Sequence, residues 1–181
     1  MRKLDYNFHN KHIVRHIMMN KINIINTHAV PNISKLIFTF NLNRLDDIDD
    51  VQVYNYIYLF KFFFGKIAYL TRLRSYYSLG KWTYSFNVCL VIKNKYILKN
   101  LLFIINDVIP VTDKNYISCG LFSNKLQIYY LVFKDLNIFS EKKTNLGLFM
   151  LKNKLNFKMF CTGKDLLSNK ILLRNMKIYN F

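Results

Sequence analysis

The stretch SKLIFTFNL, Ser34–Leu42, carries Leu36, Phe38 and Phe40 at every second position. Alternation with a period of two sends one set of side chains to each side of an extended backbone. The segment therefore reads as a strand with one apolar face. Val30–Pro31 just before it agrees, because the residue ahead of a proline is driven into extended conformation. LNFKMFC, Leu155–Cys161, alternates in the same way. Strands that bury one face only are satisfied by an antiparallel sheet with helices laid over that face.

The rest of the chain supplies those helices and the returning strands. Asp5–Asn20 places Ile13 and Ile17, with Phe8 or His9 a turn earlier, along one side of a weakly amphipathic helix. LDDIDD, Leu45–Asp50, offers carboxylates to cap a helix over Val51–Phe64, and Gly65 suits its C-terminal cap. Ile67–Leu73 predicts a strand, Ser75–Trp82 a loop, and Thr83–Ile92 the returning strand. Lys93–Val108 predicts a helix with Ile97, Leu101, Ile104, Ile105 and Val108 on one face, stopped by Pro110. Lys125–Phe133 and Leu146–Met150 predict further strands, and TGKD leads into a last helix over Leu166–Met176. The expected fold class is α+β in a single domain, with residues 1–29 a helical extension and 30–181 the core. Its sheet is largely antiparallel, with helices on one face and a protruding β-loop-β hairpin.

A hydrophobic content of 52% over 181 residues excludes intrinsic disorder and provides for a sizeable core. Against that core stands a charge of +17, from 27 Lys+Arg and 10 Asp+Glu. A globular chain so basic repels itself unless a polyanion neutralises it, which points to nucleic acid or to an anionic membrane surface. The cations run from Arg2 to Lys177 rather than clustering in a tail, which favours a protein embedded in RNA. The two most apolar tracts, Ile57–Leu70 and Tyr96–Ile109, are broken by Lys61 and Lys66, and by Lys99, Asn100 and Asp107. Neither reaches the roughly 20 apolar residues of a spanning helix, so no membrane insertion is expected. The opening residues are polar and unlike a secretory signal. Cys89, Cys119 and Cys161 form no CxxC and read as free thiols in a reducing compartment. Phe, Tyr, Ile, Asn and Lys abound while glycine and proline number only 5 and 2, a bias typical of an A/T-rich organelle genome.

Catalytic arrangements are poor. His9, His12 and His16 sit at helical spacing, yet Asp5 is the only carboxylate near them, and a solvated or RNA-facing helix surface explains them better than a metal site. Asp46, Asp47, Asp49 and Asp50 lack the glycine-spaced loop of a calcium site, and Thr162–Lys164 lacks the rest of a phosphate loop. No nucleophile has a base beside it, so neither an enzyme nor a cofactor is expected. What remains is FFFGKIAYLTRLRSYYSLGKWTYSF, Phe62–Phe86. In it Lys66, Arg72, Arg74, Ser75 and Lys81 suit phosphates, while Tyr76, Tyr77 and Trp82 offer flat faces for unpaired bases. The other account of these aromatics is that they cover the edge of the core.

TRLRSYYSLGKW followed by TYSFNVCLVI is similar to the β-loop-β segment of the universal large-subunit ribosomal protein five family. Around it the order agrees. VPNISKLIFTFNLN resembles that family's Pro-initiated first strand, and KYILKNLLFIINDVIP its long helix ending in proline. YYLVFKDLNIF and LNFKMFCTGKDLLSNKILLRNM resemble its last strands and terminal helix. The departures are NLNRLDD and VTDKNYISCGLFSN, which stand where the family has glycine-rich stretches. The resemblance implies a divergent mitochondrial, organelle-encoded member, working in the mitochondrial matrix as a structural constituent of the large subunit. It implies a place in the central protuberance on large-subunit ribosomal RNA, and on 5S ribosomal RNA where one is present. Further implied partners are the peptidyl-site transfer RNA, met by the hairpin, and neighbouring ribosomal proteins, including a small-subunit bridge protein. A free-standing basic organellar RNA-binding or maturation factor is the alternative.

Overall fold

Leu36, Phe38 and Phe40 are fully buried on one side of β1 (Ile33–Leu42), as the alternation requires. The computed structural model describes residues 9–24, 26–42, 50–78, 81–93, 96–104, 117–119, 128–133, 154–163 and 165–176. Five further strands are β2 (Tyr69–Ser78), β3 (Lys81–Lys93), β4 (Ile117–Cys119), β5 (Ile128–Phe133) and β6 (Leu155–Cys161). They form one sheet in the order β2-β3-β1-β6-β5-β4, and every pairing is antiparallel. Among the described residues, four α-helices accompany it: α1 (Arg15–Ile22), α2 (Asp50–Phe64), α3 (Tyr96–Phe103) and α4 (Leu166–Asn175). The class is α+β, as expected.

Register explains why a single core forms. Phe38 lies opposite Leu90 of β3 and Phe157 of β6, and Phe157 lies opposite Leu131 of β5. All four side chains share one side of the pleat and all are buried. Phe38 stacks on Phe157 with centroids 4.7 Å apart and meets Phe64 of α2 at 4.4 Å. Phe40 meets Tyr56 at 4.4 Å and Phe60 at 5.0 Å, which lays α2 along the sheet. Ile97, Leu101 and Ile104 bury the predicted face of α3. Rings in offset and tilted contact at these separations add to the area they remove from water.

Gly65 closes α2 as predicted: its φ is +66° and its N–H donates to Lys61 O at 2.9 Å. The first helix differs from expectation. His9–Val14 winds as a π-helix before α1, and the buried residues are Val14 and Met18, not Ile13, which is exposed. A π-turn takes an extra residue per turn, which rotates the buried stripe by one position. The loop expected at Ser75–Trp82 is also corrected. Ser75–Ser78 continues β2 and Lys81–Trp82 opens β3, with Tyr77 paired to Trp82 and Ser78 to Lys81. Aromatic residues on both sides favour the pleated ladder and extend it almost to Leu79–Gly80. The capping carboxylates Asp46, Asp47 and Asp49, the helix residues Ile105 and Val108, and the predicted strand Leu146–Met150 lie outside the described residues. Among the described residues, no helix is long and apolar enough to cross a membrane.

Candidate nucleic-acid interface

β2 is an edge strand, and beyond Leu42↔Phe86 the register pairs β3 with β2 alone among the described residues. Arg72 lies opposite Phe86, on the side of the sheet that carries Val88 and Leu90, and Arg74 lies opposite Tyr84. Arg72 is exposed. One extra β2 residue between Arg74 and Tyr77 makes a bulge, which sharpens the local twist. Lys66 is not part of this strand pair. It is half-buried just after α2, with Nζ 4.3 Å from the ring centroid of Tyr96. Ser75, Tyr76, Tyr77, Lys81 and Trp82 are placed by the ladder on the paired strands, while their side chains lie outside the described residues. Thr71 Oγ1 donates to Asn87 O at 3.3 Å and lies 3.3 Å from Cys89 Sγ, fastening β2 to β3 at its base.

Sequence reasoning missed a second surface. Residues alternate with the core set on every strand, so the sheet has an opposite face, on which Lys93 is exposed, Lys35, Lys158, Tyr130 and Phe160 are half-buried, and Cys89, Thr39 and Asn156 are buried. The register assembles it in rows. Lys93, Lys35 and Phe160 stand side by side across β3, β1 and β6; Val91, Ile37, Lys158 and Tyr130 make the next row, and Cys89, Thr39 and Asn156 the third. Lys35 Nζ is 4.0 Å from the Phe160 ring centroid, and Lys158 Nζ is 5.7 Å from that of Tyr130. Tyr130 Oη donates to Asn156 Oδ1 at 2.7 Å. Burial raises the pKa of the Tyr130 hydroxyl above its usual value; at Tyr69 burial does so first and the neighbouring Cys89 second. Both tyrosines therefore remain neutral hydrogen-bonding groups.

The charge pattern of the sheet is one-sided. Its six strands hold Lys35, Arg72, Arg74, Lys81, Lys93 and Lys158 and not one Asp or Glu. Lys35 and Lys93 lie directly opposite each other, a cross-strand pairing of like charges that costs stability until an anion sits between them. Cations over aromatic rings, flanked by amides and hydroxyls, suit phosphates and unpaired bases together. The sequence signal was available: Lys35, Ile37, Thr39 and Asn41 are the positions between the core residues of β1. No protein-family model matches this chain, and no curated protein matches it.

Proposed function

We propose that this chain is a structural, non-enzymatic constituent of the large ribosomal subunit, holding ribosomal RNA on the face of its sheet opposite the core and along the β2–β3 pair. The observation that carries the reading is the absence of any carboxylate from six strands bearing six cations. A sheet so charged is relieved by a polyanion, and the aromatic partners of Lys35 and Lys158 add stacking that is tolerant of base identity. The order of segments, which resembles the universal large-subunit ribosomal protein five family, supports a place in the central protuberance. There the β2–β3 pair approaches the peptidyl-site transfer RNA and the small subunit, and 5S ribosomal RNA is a partner where the ribosome has one. The A/T-type composition supports synthesis and assembly inside the mitochondrion.

Quantitative mass spectrometry of sucrose-gradient fractions tests the reading. The chain should be stoichiometric with large-subunit proteins in the particle peak. Recovery mainly from a slow soluble pool would indicate a free-standing RNA-binding factor, and recovery with membranes would overturn the reading altogether.

A further inference from the structure

α1 and α4 come from opposite ends of the chain and pack on each other. Val14 and Met18 on one side and Leu172, Leu173 and Met176 on the other are buried, and Asn175 Nδ2 donates to Met18 Sδ at 3.5 Å. The outer faces carry Arg15, His16 and Lys21 on α1 and Lys170 and Arg174 on α4, all exposed, with His12 exposed four residues before His16. Neither helix contains an Asp or Glu, and the sequence has none between Asp5 and Asp46 or after Asp165. A merely solvated helix is steadied by opposite charges three or four residues apart, whereas Lys170 and Arg174 are like charges one turn apart, which destabilises α4. Two segments remote in sequence thus meet in one cationic surface. Asp165, exposed at the start of α4, is the one described acid beside it.

Such a surface takes a polyanion, and its other side chains decide which. The apolar sides of both helices are occupied by the core, leaving Ile13 and Leu167 as the exposed large apolar residues of this region. Two separate residues make neither the buried centre of a protein interface nor an apolar face for a bilayer. Cations beside the exposed amides of Asn20 and Asn23 suit the phosphates and hydroxyls of an RNA backbone, which needs no apolar centre. We propose that the paired outer faces of α1 and α4 bind an RNA backbone at a site separate from the sheet, joined by protonated His12 and His16. The proposal rests on the RNA reading above for the class of polyanion alone. Met18 and Leu173 belong to the same core as Phe38 and Phe157, so this surface lies on the helical side, away from Lys35 and Lys158. Histidine changes charge between about pH 5 and pH 8, and a phosphate beside it favours the cation. Binding here therefore takes up protons and weakens as pH rises. The other charged groups of the two helices are Arg15, Lys21, Lys170 and Arg174, with Asp165 at the start of α4, and none of these residue types titrates in that range. All four histidines lie within His9–His28 and the six strands hold none, so a proton signature distinguishes this surface from the sheet.

The test is fluorescence anisotropy of the full chain with a labelled RNA hairpin, titrated with salt at about pH 6 and about pH 8. The slope of log K against log salt should be steeper at the lower pH, by about 0.7–0.9 for each histidine that meets a phosphate. His12→Gln with His16→Gln should abolish that difference. Lys170→Ala with Arg174→Ala should lower the slope by about 0.7–0.9 per residue at either pH. Lys35→Ala with Lys158→Ala should lower both slopes and leave the pH difference intact. Response to those sheet variants without any pH difference would overturn this proposal and leave the sheet reading standing, and the reverse result would do the opposite. A pH difference that survives the histidine variants, or slopes indifferent to Lys170 and Arg174, would also overturn it. So would competition by phosphatidylserine vesicles that disappears in the Lys170→Ala, Arg174→Ala variant, the mark of a membrane contact.

Discussion

Replacing Asn169 with alanine strips two hydrogen bonds from the backbone of Gly163 at the turn between β6 and α4. Asn169 is wholly buried; its Oδ1 accepts from Gly163 N–H at 3.1 Å and its Nδ2 donates to Gly163 O at 3.1 Å. The variant leaves a buried donor and a buried acceptor unpaired, at about 1–3 kcal/mol each, so the loss is roughly 2–6 kcal/mol before any cavity is counted. In a chain of this size each kcal/mol lowers Tm by about 2–4 °C, which gives a fall of roughly 5–20 °C. Gly163→Ala should act on the same contact from the other side, because a Cβ there runs into Asn169 Oδ1 and comes within 2.9 Å of Ser168 Oγ. Ser168→Ala is the milder comparison: it removes one hydrogen bond, from Oγ to Asp165 O at 2.8 Å, worth about 1 kcal/mol. Thermal melts followed by circular dichroism read all three. Asn169→Ala melting within about 2 °C of the parent, or no lower than Ser168→Ala, would refute the reasoning.

The two sheet surfaces proposed for RNA yield further expectations. Lys35→Ala with Lys158→Ala should reduce the slope of log K against log salt by about 0.7–0.9 per lysine in an RNA titration, without lowering Tm, since Lys35 faces Lys93 across the strands. Arg72→Ala with Arg74→Ala should weaken incorporation into the particle, scored on gradients. Burial pushes the Cys161 thiol up to about 12, above its ordinary value near 9. The folded state therefore holds the proton more tightly than the unfolded state. This contribution is fully present below about pH 9 and is lost as pH rises toward 12, a decline that Cys161→Ala should lessen in denaturant titrations.

What the sequence made legible was whatever one period could specify. β6 runs over Leu155–Cys161 as predicted, and β1 differs by one residue at its start, because their large apolar side chains alternate in sequence. α4 ends within one residue of expectation, and Gly65 ends α2 because few other residues tolerate a positive φ there. Periodicity failed where two helical geometries share a pattern, so the π-turn at His9–Val14 and its shifted stripe were invisible. It failed at Ser75–Trp82, where tyrosine and tryptophan suit a strand as well as a loop. The tract centred on Arg72 was legible by its charge. The face opposite the core was not, because Lys35, Lys158, Phe160 and Tyr130 lie far apart in sequence and are joined only by strand register.

Ultraviolet cross-linking of the chain in cells, with both the peptide and its attached RNA sequenced, tests the central claim most directly. The account predicts large-subunit ribosomal RNA joined to peptides of β1, β6 and β5 around Lys35, Phe160, Lys158 and Tyr130, and to the β2–β3 pair around Arg72 and Arg74. Cross-links carrying only other RNAs, or confined to α1 and α4 with none on the sheet, would contradict it.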